Sequence, residues 1–249
     1  MLSLWLPYTK EIEPDAHLLF CFPYGGGNPA FYNNWQVYLP DHFQICPVQL
    51  PGRGIRFTEP SYTNFHALIR DIVAAIQPYL MNNRFSFFGH SMGALVSFEV
   101  SRLLQTMSLP LPENLFVSGY HAPHTSDPGR KIHHLPDEEF LDGIVEMNGL
   151  PEELVQNRDF LQVFLPALRA DFTMCETYQY LPGNKLKSPI VALGGTDDPE
   201  AGEEHLKAWQ AQTENDFSLH MVEGDHFYIH HKEGEIIKII ETQCKTLYF

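Results

Sequence analysis

The sequence predicts an α/β fold, a mostly parallel central sheet covered on both faces by helices, and two observations carry that prediction. First, six short apolar runs recur along the chain: HLLFCF from His17, FQICPVQL from Phe43, RFSFFG from Arg84, NLFVSGY from Asn114, PIVALGG from Pro189 and FSLHMVEG from Phe217. None alternates cleanly between apolar and polar, so each reads as a strand buried on both faces. Second, the spacing between several of these runs turns helical. Thr63 to Leu80 places Leu68, Ile69, Ile72, Val73 and Ile76 on one stripe, and Pro199 to Gln212 carries Leu206 and Trp209. Strand and helix in alternation imply a parallel sheet.

A chain of 249 residues is long enough to bury a substantial core and a pocket within one domain, here expected to span residues 1–249. With 44% hydrophobic and 19% charged residues, it has the balance of an ordinary globular protein and no tract biased enough to stay unfolded. A formal net charge of -15 argues against a nucleic-acid partner, whose phosphates the mean field would repel. The N-terminus lacks a basic segment followed by a long apolar run, and no stretch approaches the ~18 apolar residues of a membrane span, so the expected location is the cytoplasm. Cys21, Cys46, Cys175 and Cys244 are far apart and form no C-x-x-C pair, which predicts free thiols and no metal site.

The rhythm breaks between Ser126 and Lys187. That interval contains the helical segments PDEEFLDGIVEM, PEELVQ and RDFLQVFLPALRADFTMCETY and no clear strand. Acidic residues open the first segment, as suits a helix N-terminus, and Gly149 follows its end. Ligands of open α/β sheets bind at the carboxyl edge of the strands, so a helical insertion over residues 126–187 is expected to form a lid there.

Chemistry is concentrated at the end of the third run. Gly89-His90-Ser91-Met92-Gly93 matches G-x-S-x-G, in which a sharp strand-to-helix turn lifts a serine hydroxyl above the sheet edge. Phe85, Phe87 and Phe88 supply the strand before it. Ala94, Leu95, Phe98, Val100, Leu103 and Leu104 supply the helix after it. A serine is a poor nucleophile unless a base lies within hydrogen-bond reach and a third group orients that base. Of thirteen histidines, His226 alone lies just after the last expected strand and before the terminal helix, and it is the candidate base. The acid is Asp198 or its neighbour Asp197. Asp198 is preferred because Gly195-Thr-Asp-Asp198-Pro199 leaves it extended before a proline, while Asp225 stands too close to His226 to fold back on it. The backbone N–H of Met92 and one from Tyr24 or Gly25, in the glycine-rich loop after the first strand, would receive the oxyanion of a tetrahedral intermediate.

Taken together, FCFPYGGGNPAFY, VQLPGRGIR, FFGHSMGALVSFEV, HLPDEEFLDGI, LPALRADFTMCETY and GDHFYIH resemble the type II thioesterases that accompany nonribosomal peptide and polyketide synthetases, close kin of the medium-chain fatty acyl thioesterases. The resemblance runs from about Leu18 to His230. It implies an α/β-hydrolase fold and hydrolysis of acyl groups from the 4'-phosphopantetheine arm of carrier-protein domains, with no cofactor of the enzyme's own. It implies Ser91 as nucleophile, His226 as base and the Asp197-Asp198 pair as source of the acid. A medium-chain acyl-coenzyme A or acyl-carrier thioesterase, or a general carboxylesterase, is the alternative on the same fold, since small acyl thioesters and esters need the same triad. A catalytically silent binding protein would be expected to lack Ser91 or His226. The expected enzyme is a monomer. Arg53 and Arg56 of LPGRGIRF are expected to offer local cations for docking an acidic carrier, the alternative being that they pair with carboxylates such as Glu59.

Overall fold

The computed structural model describes residues 3–9, 11–125, 129–147 and 158–245. Among these, six strands form one sheet in the order β2-β1-β3-β4-β5-β6, and every neighbouring pair is parallel. The strands are β1 (His17–Phe22), β2 (Phe43–Pro47), β3 (Arg84–His90), β4 (Leu115–Ser118), β5 (Ile190–Gly195) and β6 (Phe217–Val222). All six apolar runs therefore become strands. β6 departs from the expected two-sided burial: it lies at the sheet edge, and of its residues only Val222 is fully buried.

The helices are α1 (Phe65–Leu80), α2 (Met92–Thr106), α3 (Asp137–Glu146), α4 (Arg158–Glu176), α5 (Glu203–Lys207) and α6 (Glu233–Lys245). α1 begins where the Asn64 side chain accepts the Ala67 N–H, relieving one of the unpaired amides of a helix N-terminus. The helix expected over Pro199 to Gln212 starts later and breaks into α5 and a 3-10 turn, Ala208–Gln212. Its first residues are held in a loop because the Asp198 carboxylate accepts the N–H groups of Glu200 and Ala201.

Successive residues of β1 point to opposite sides of the sheet, as the strand pleat requires. Leu18, Phe20 and Phe22 pack with α1 and α2, while Leu19 and Cys21 join Trp35 and Ile236, Ile237 and Ile240 of α6 on the other face. Phe87 meets Phe20 and Phe22 edge-to-face with centroids 5.8 and 5.2 Å apart, contacts worth about 0.5–1.5 kcal/mol each beyond the area they bury. α3 and α4 form a third cluster of their own through Phe140, Leu141, Ile144, Leu161, Leu165 and Leu168. Two of the three helical segments expected between Ser126 and Lys187 are these helices. PEELVQ, Ser126 and Gly149 lie outside the described residues. No helix among the described residues is long and apolar enough to cross a membrane.

The far end of the sheet carries a buried histidine. His17 is 1% exposed and pairs through Nε2 with Ser86 Oγ at 2.9 Å, beneath Cys244 of α6. Burial pushes its imidazole down to about 4, against an opposing pull from Glu113. An unfolded chain takes up that proton near pH 6.5, so between pH 6.5 and about 4 the unfolded state binds more protons and stability falls as pH falls. The loss attributable to His17 is on the order of 3 kcal/mol across that window. Replacing His17 with Asn should flatten the decline of denaturation midpoints between pH 6.5 and 4. Parallel curves for variant and wild type would show that the ring is not held neutral.

Candidate active site

The loops after β1, β3, β4, β5 and β6 all reach one cavity at the carboxyl edge of the sheet. The cavity, of about 120 Å³, is lined by Ser91 and Met92 after β3, Tyr24 and Gly25 after β1, and His226 and Phe227 after β6. From above, α4 contributes Asp171, Phe172, Cys175 and Glu176 to the same lining. Glu176 is tied down there, accepting the N–H groups of Ile132 and His133 and pairing with the His133 ring.

Ser91 sits between β3 and α2 with φ 52° and ψ -122°, a conformation that costs a non-glycine residue about 1–3 kcal/mol. The turn is held by the Ser91 N–H donating to the Ser118 carbonyl and by the Ala94 N–H donating to the Ser91 carbonyl, both at 2.8 Å. The two motif glycines make it sterically possible. A Cβ on Gly89 would stand 2.0 Å from the Gly93 carbonyl oxygen, and one on Gly93 would stand 2.1 Å from that of Phe22. Among the described residues nothing hydrogen-bonds the Ser91 hydroxyl, which faces the cavity.

The two candidate acids differ in burial and in partner. Asp198 is 6% exposed and its Oδ2 lies 2.8 Å from His226 Nδ1, whereas Asp197 is exposed. Asp225 accepts the N–H of Phe227 and caps its own turn. Burial opposes ionisation of Asp198, but hydrogen bonds from His226 and from the Glu200 and Ala201 amides outweigh it and hold the carboxyl below its ordinary range. An ionised carboxylate only accepts, so Nδ1 of His226 carries the proton and Nε2 is left as the basic edge of the ring. The pair meets because Gly195 lets two loops touch: a Cβ there would stand 2.3 Å from the Asp225 carbonyl oxygen. The Asp197 N–H donates to the Gly224 carbonyl and completes the contact.

Behind this pair, the His90 ring lies 4.9 Å from that of His226. Its Nδ1 contacts Ser118 Oγ, which in turn contacts the Tyr228 hydroxyl. Burial, reinforced by His226 and His230, pushes His90 well below the usual histidine range, so it packs as a neutral ring. Tyr24 and Gly25 line the cavity near Met92, and the N–H of Gly27 is already engaged by the Tyr24 carbonyl. No group of three or more His, Cys, Asp or Glu among the described residues is placed to hold a metal ion.

The expected docking arginines are elsewhere engaged. Arg53 is 3% exposed and bidentate with Asp171, and Arg56 pairs with Glu59 and stacks over Trp5. Neither is a surface cation, so the expectation that they dock a carrier is overturned. Asp171 was not foreseen as a site residue. Its signal was an acid on the buried stripe of a helix, three residues after Leu168 and three before Met174, where an isolated charge has no place without a partner.

A family model for the thioesterase domain matches residues 17–244. The chain belongs to the thioesterase family. It is 47% identical over 247 residues to "Linear gramicidin dehydrogenase LgrE" of Brevibacillus parabrevis, covering 98% of this chain and 94% of that protein. It is 41% identical over 229 residues to the gramicidin S biosynthesis protein GrsT of Aneurinibacillus migulanus, covering 92% and 88%. The solved type II thioesterase BorB of the borrelidin biosynthetic cluster superposes with a TM-score of 0.86 at 32% identity, over 97% of this chain and 98% of that one. The fold of this thioesterase is that of the α/β hydrolases, with the parallel sheet and helical layers already described.

Asp198→Asn should lower kcat by orders of magnitude at nearly unchanged KM, because the amide no longer enforces the Nδ1–H tautomer. Asp197→Asn should stay within about threefold of wild type. Steady-state kinetics on both variants checks the assignment, and the reverse ranking would refute it.

Proposed function

We propose that this thioesterase hydrolyses acyl groups from the 4'-phosphopantetheine arm of carrier-protein domains in peptide or polyketide synthesis, through an acyl-Ser91 intermediate. The observation that carries the proposal is the buried Asp198–His226 pair sharing one cavity with a serine in a strained turn. The names of GrsT and BorB, which belong to gramicidin S and borrelidin biosynthesis, support the choice of partner. The reading takes the enzyme as a monomer without a cofactor of its own, the pantetheine arm arriving with the partner.

In this reading His226 Nε2 takes the Ser91 proton as Oγ attacks the thioester carbonyl. The oxyanion is received by the Met92 N–H, at the start of α2 where the amide has no helical partner, and by the N–H of Tyr24 or Gly25. The tetrahedral adduct collapses by breaking the C–S bond, and His226 returns the proton to the departing thiolate. Water then attacks the acyl-serine with His226 again as base, releasing the acid and restoring the hydroxyl. α3 and α4 act as the lid that keeps bulk water from the intermediate.

A redox reading, suggested by the name of the Brevibacillus relative, fits poorly. Gly25-Gly26-Gly27-Asn28-Pro29-Ala30 has the spacing of a dinucleotide fingerprint, yet it enters a 3-10 helix, Pro29–Val37. The Gly26 N–H is already taken at 2.7 Å by the Asp171 carboxylate and is not free to bind a pyrophosphate. At the end of β2, where an acid would hold a ribose hydroxyl, the chain reads Pro47-Val48-Gln49.

Two measurements test the proposal. Ser91→Ala should lose turnover by at least about 10³-fold while keeping its melting temperature, and turnover within tenfold of wild type would overturn the nucleophile. Offered the same acyl group on a carrier domain, on coenzyme A and as a simple ester, the enzyme should show its highest kcat/KM on the carrier. Equal efficiency on carrier and coenzyme A would remove carrier recognition, and an ester preference would make it a carboxylesterase.

A further inference from the structure

Outside the triad, the Asp171 carboxylate of α4 is a buried, fully engaged group at the cavity. It is 1% exposed, and Arg53, from the loop after β2, grips it with both guanidinium nitrogens at 2.5 and 2.8 Å. Its Oδ2 also accepts the Gly26 N–H at 2.7 Å, in the loop after β1. Three segments far apart in sequence therefore meet at one buried carboxylate.

The loop it grips carries the candidate second oxyanion donor. Of its amides, Gly27 donates to Tyr24 and Gly26 donates to Asp171. The N–H groups of Tyr24 and Gly25 have no hydrogen-bond partner among the described residues, and both residues line the cavity with Ser91. Gly26 adopts φ +73°, and a Cβ on it would stand 2.3 Å from Leu168 of α4, one turn before Asp171. The loop is thus pinned at the amide next to the unpartnered pair, by a helix that also roofs the site.

We propose that Arg53 and Asp171 are positioning residues that set the oxyanion loop through the Gly26 N–H. Asp171 supplies the acceptor. Arg53 neutralises a carboxylate that would otherwise be a buried unpaired charge, and its planar fork fixes the plane in which Oδ2 faces Gly26. A donor displaced by about 1 Å can cost on the order of 10²-fold in rate, because the charge it stabilises develops only in the transition state. Loosening the grip therefore lowers kcat and leaves KM nearly alone.

The proposal rests on the hydrolytic reading, and the test separates the two. With a p-nitrophenyl acyl ester as probe, Ser91→Ala is measured first, and activity surviving it would sink the hydrolytic reading itself. Two double variants with the same charge are then compared. Arg53→Met with Asp171→Asn keeps an acceptor for the Gly26 N–H, whereas Arg53→Met with Asp171→Leu keeps only the packing. The Asn pair keeps the acceptor without the fork and should lose about threefold to tenfold in kcat, whereas the Leu pair should fall at least tenfold further, with unchanged KM and a comparable melting temperature. Equal kcat in the two folded pairs would overturn the proposal and reduce the ion pair to a structural tie. Should the Leu pair fail to fold, Arg53→Lys decides. It keeps the charge but not the bidentate geometry, so kcat should drop about threefold to tenfold, and wild-type kcat would overturn the role.

Discussion

No Cβ separates Gly93 from the carbonyl of Phe22, and the site depends on that contact. It lets the first turn of α2 press against the end of β1, which leaves Ser91 in a backbone conformation that an isolated peptide would abandon. The strain is held by the parallel register on either side. β3 is paired with both β1 and β4, so the Ser118 carbonyl stands where the Ser91 N–H needs an acceptor. Relaxing the turn would require breaking the central strands, whose faces are the most deeply buried apolar surface of the molecule.

The same device recurs one loop further on. Gly195 admits the backbone of Gly224 and Asp225, and the loops after β5 and β6 close on each other instead of splaying with the twist of the sheet. That closure brings a carboxylate and an imidazole together in a place dry enough for their hydrogen bond to count, yet supplied with two backbone amides that keep the carboxylate charged. Close backbone approach therefore sets both halves of the candidate site.

Charge is organised inward. The chain carries a formal net charge of -15, yet Arg53 is buried against a buried carboxylate, Asp171, that lines the cavity. Buried pairs of this kind add little net stability, since desolvation offsets their attraction, but they dictate geometry because breaking one leaves an unpaired charge in a dry interior. Arg53 and Asp171 tie α4 to the loops after β1 and β2, and the helical roof is thereby referenced to the floor it covers.

How much of this was legible beforehand follows from the range of each interaction. The six strands, the elbow around Ser91 and the candidate base His226 could be read from the chain, because apolar runs, helical spacing and glycine positions are local patterns. The resemblance carried by its motifs was enough to point to the family. The contact of Asp198 with His226 was legible only as a preference drawn from the following proline, and that β6 is a half-exposed edge and that Arg53 faces inward to Asp171 were not legible. Asp197 and Asp198 carry the same side chain and part in burial and partners only once folded, and Arg53 and Asp171 lie 118 residues apart. The sequence by itself determined which groups could react. The tertiary structure decided which of them meet, because a buried charge takes its partner from whatever the packing of distant segments places within hydrogen-bond reach.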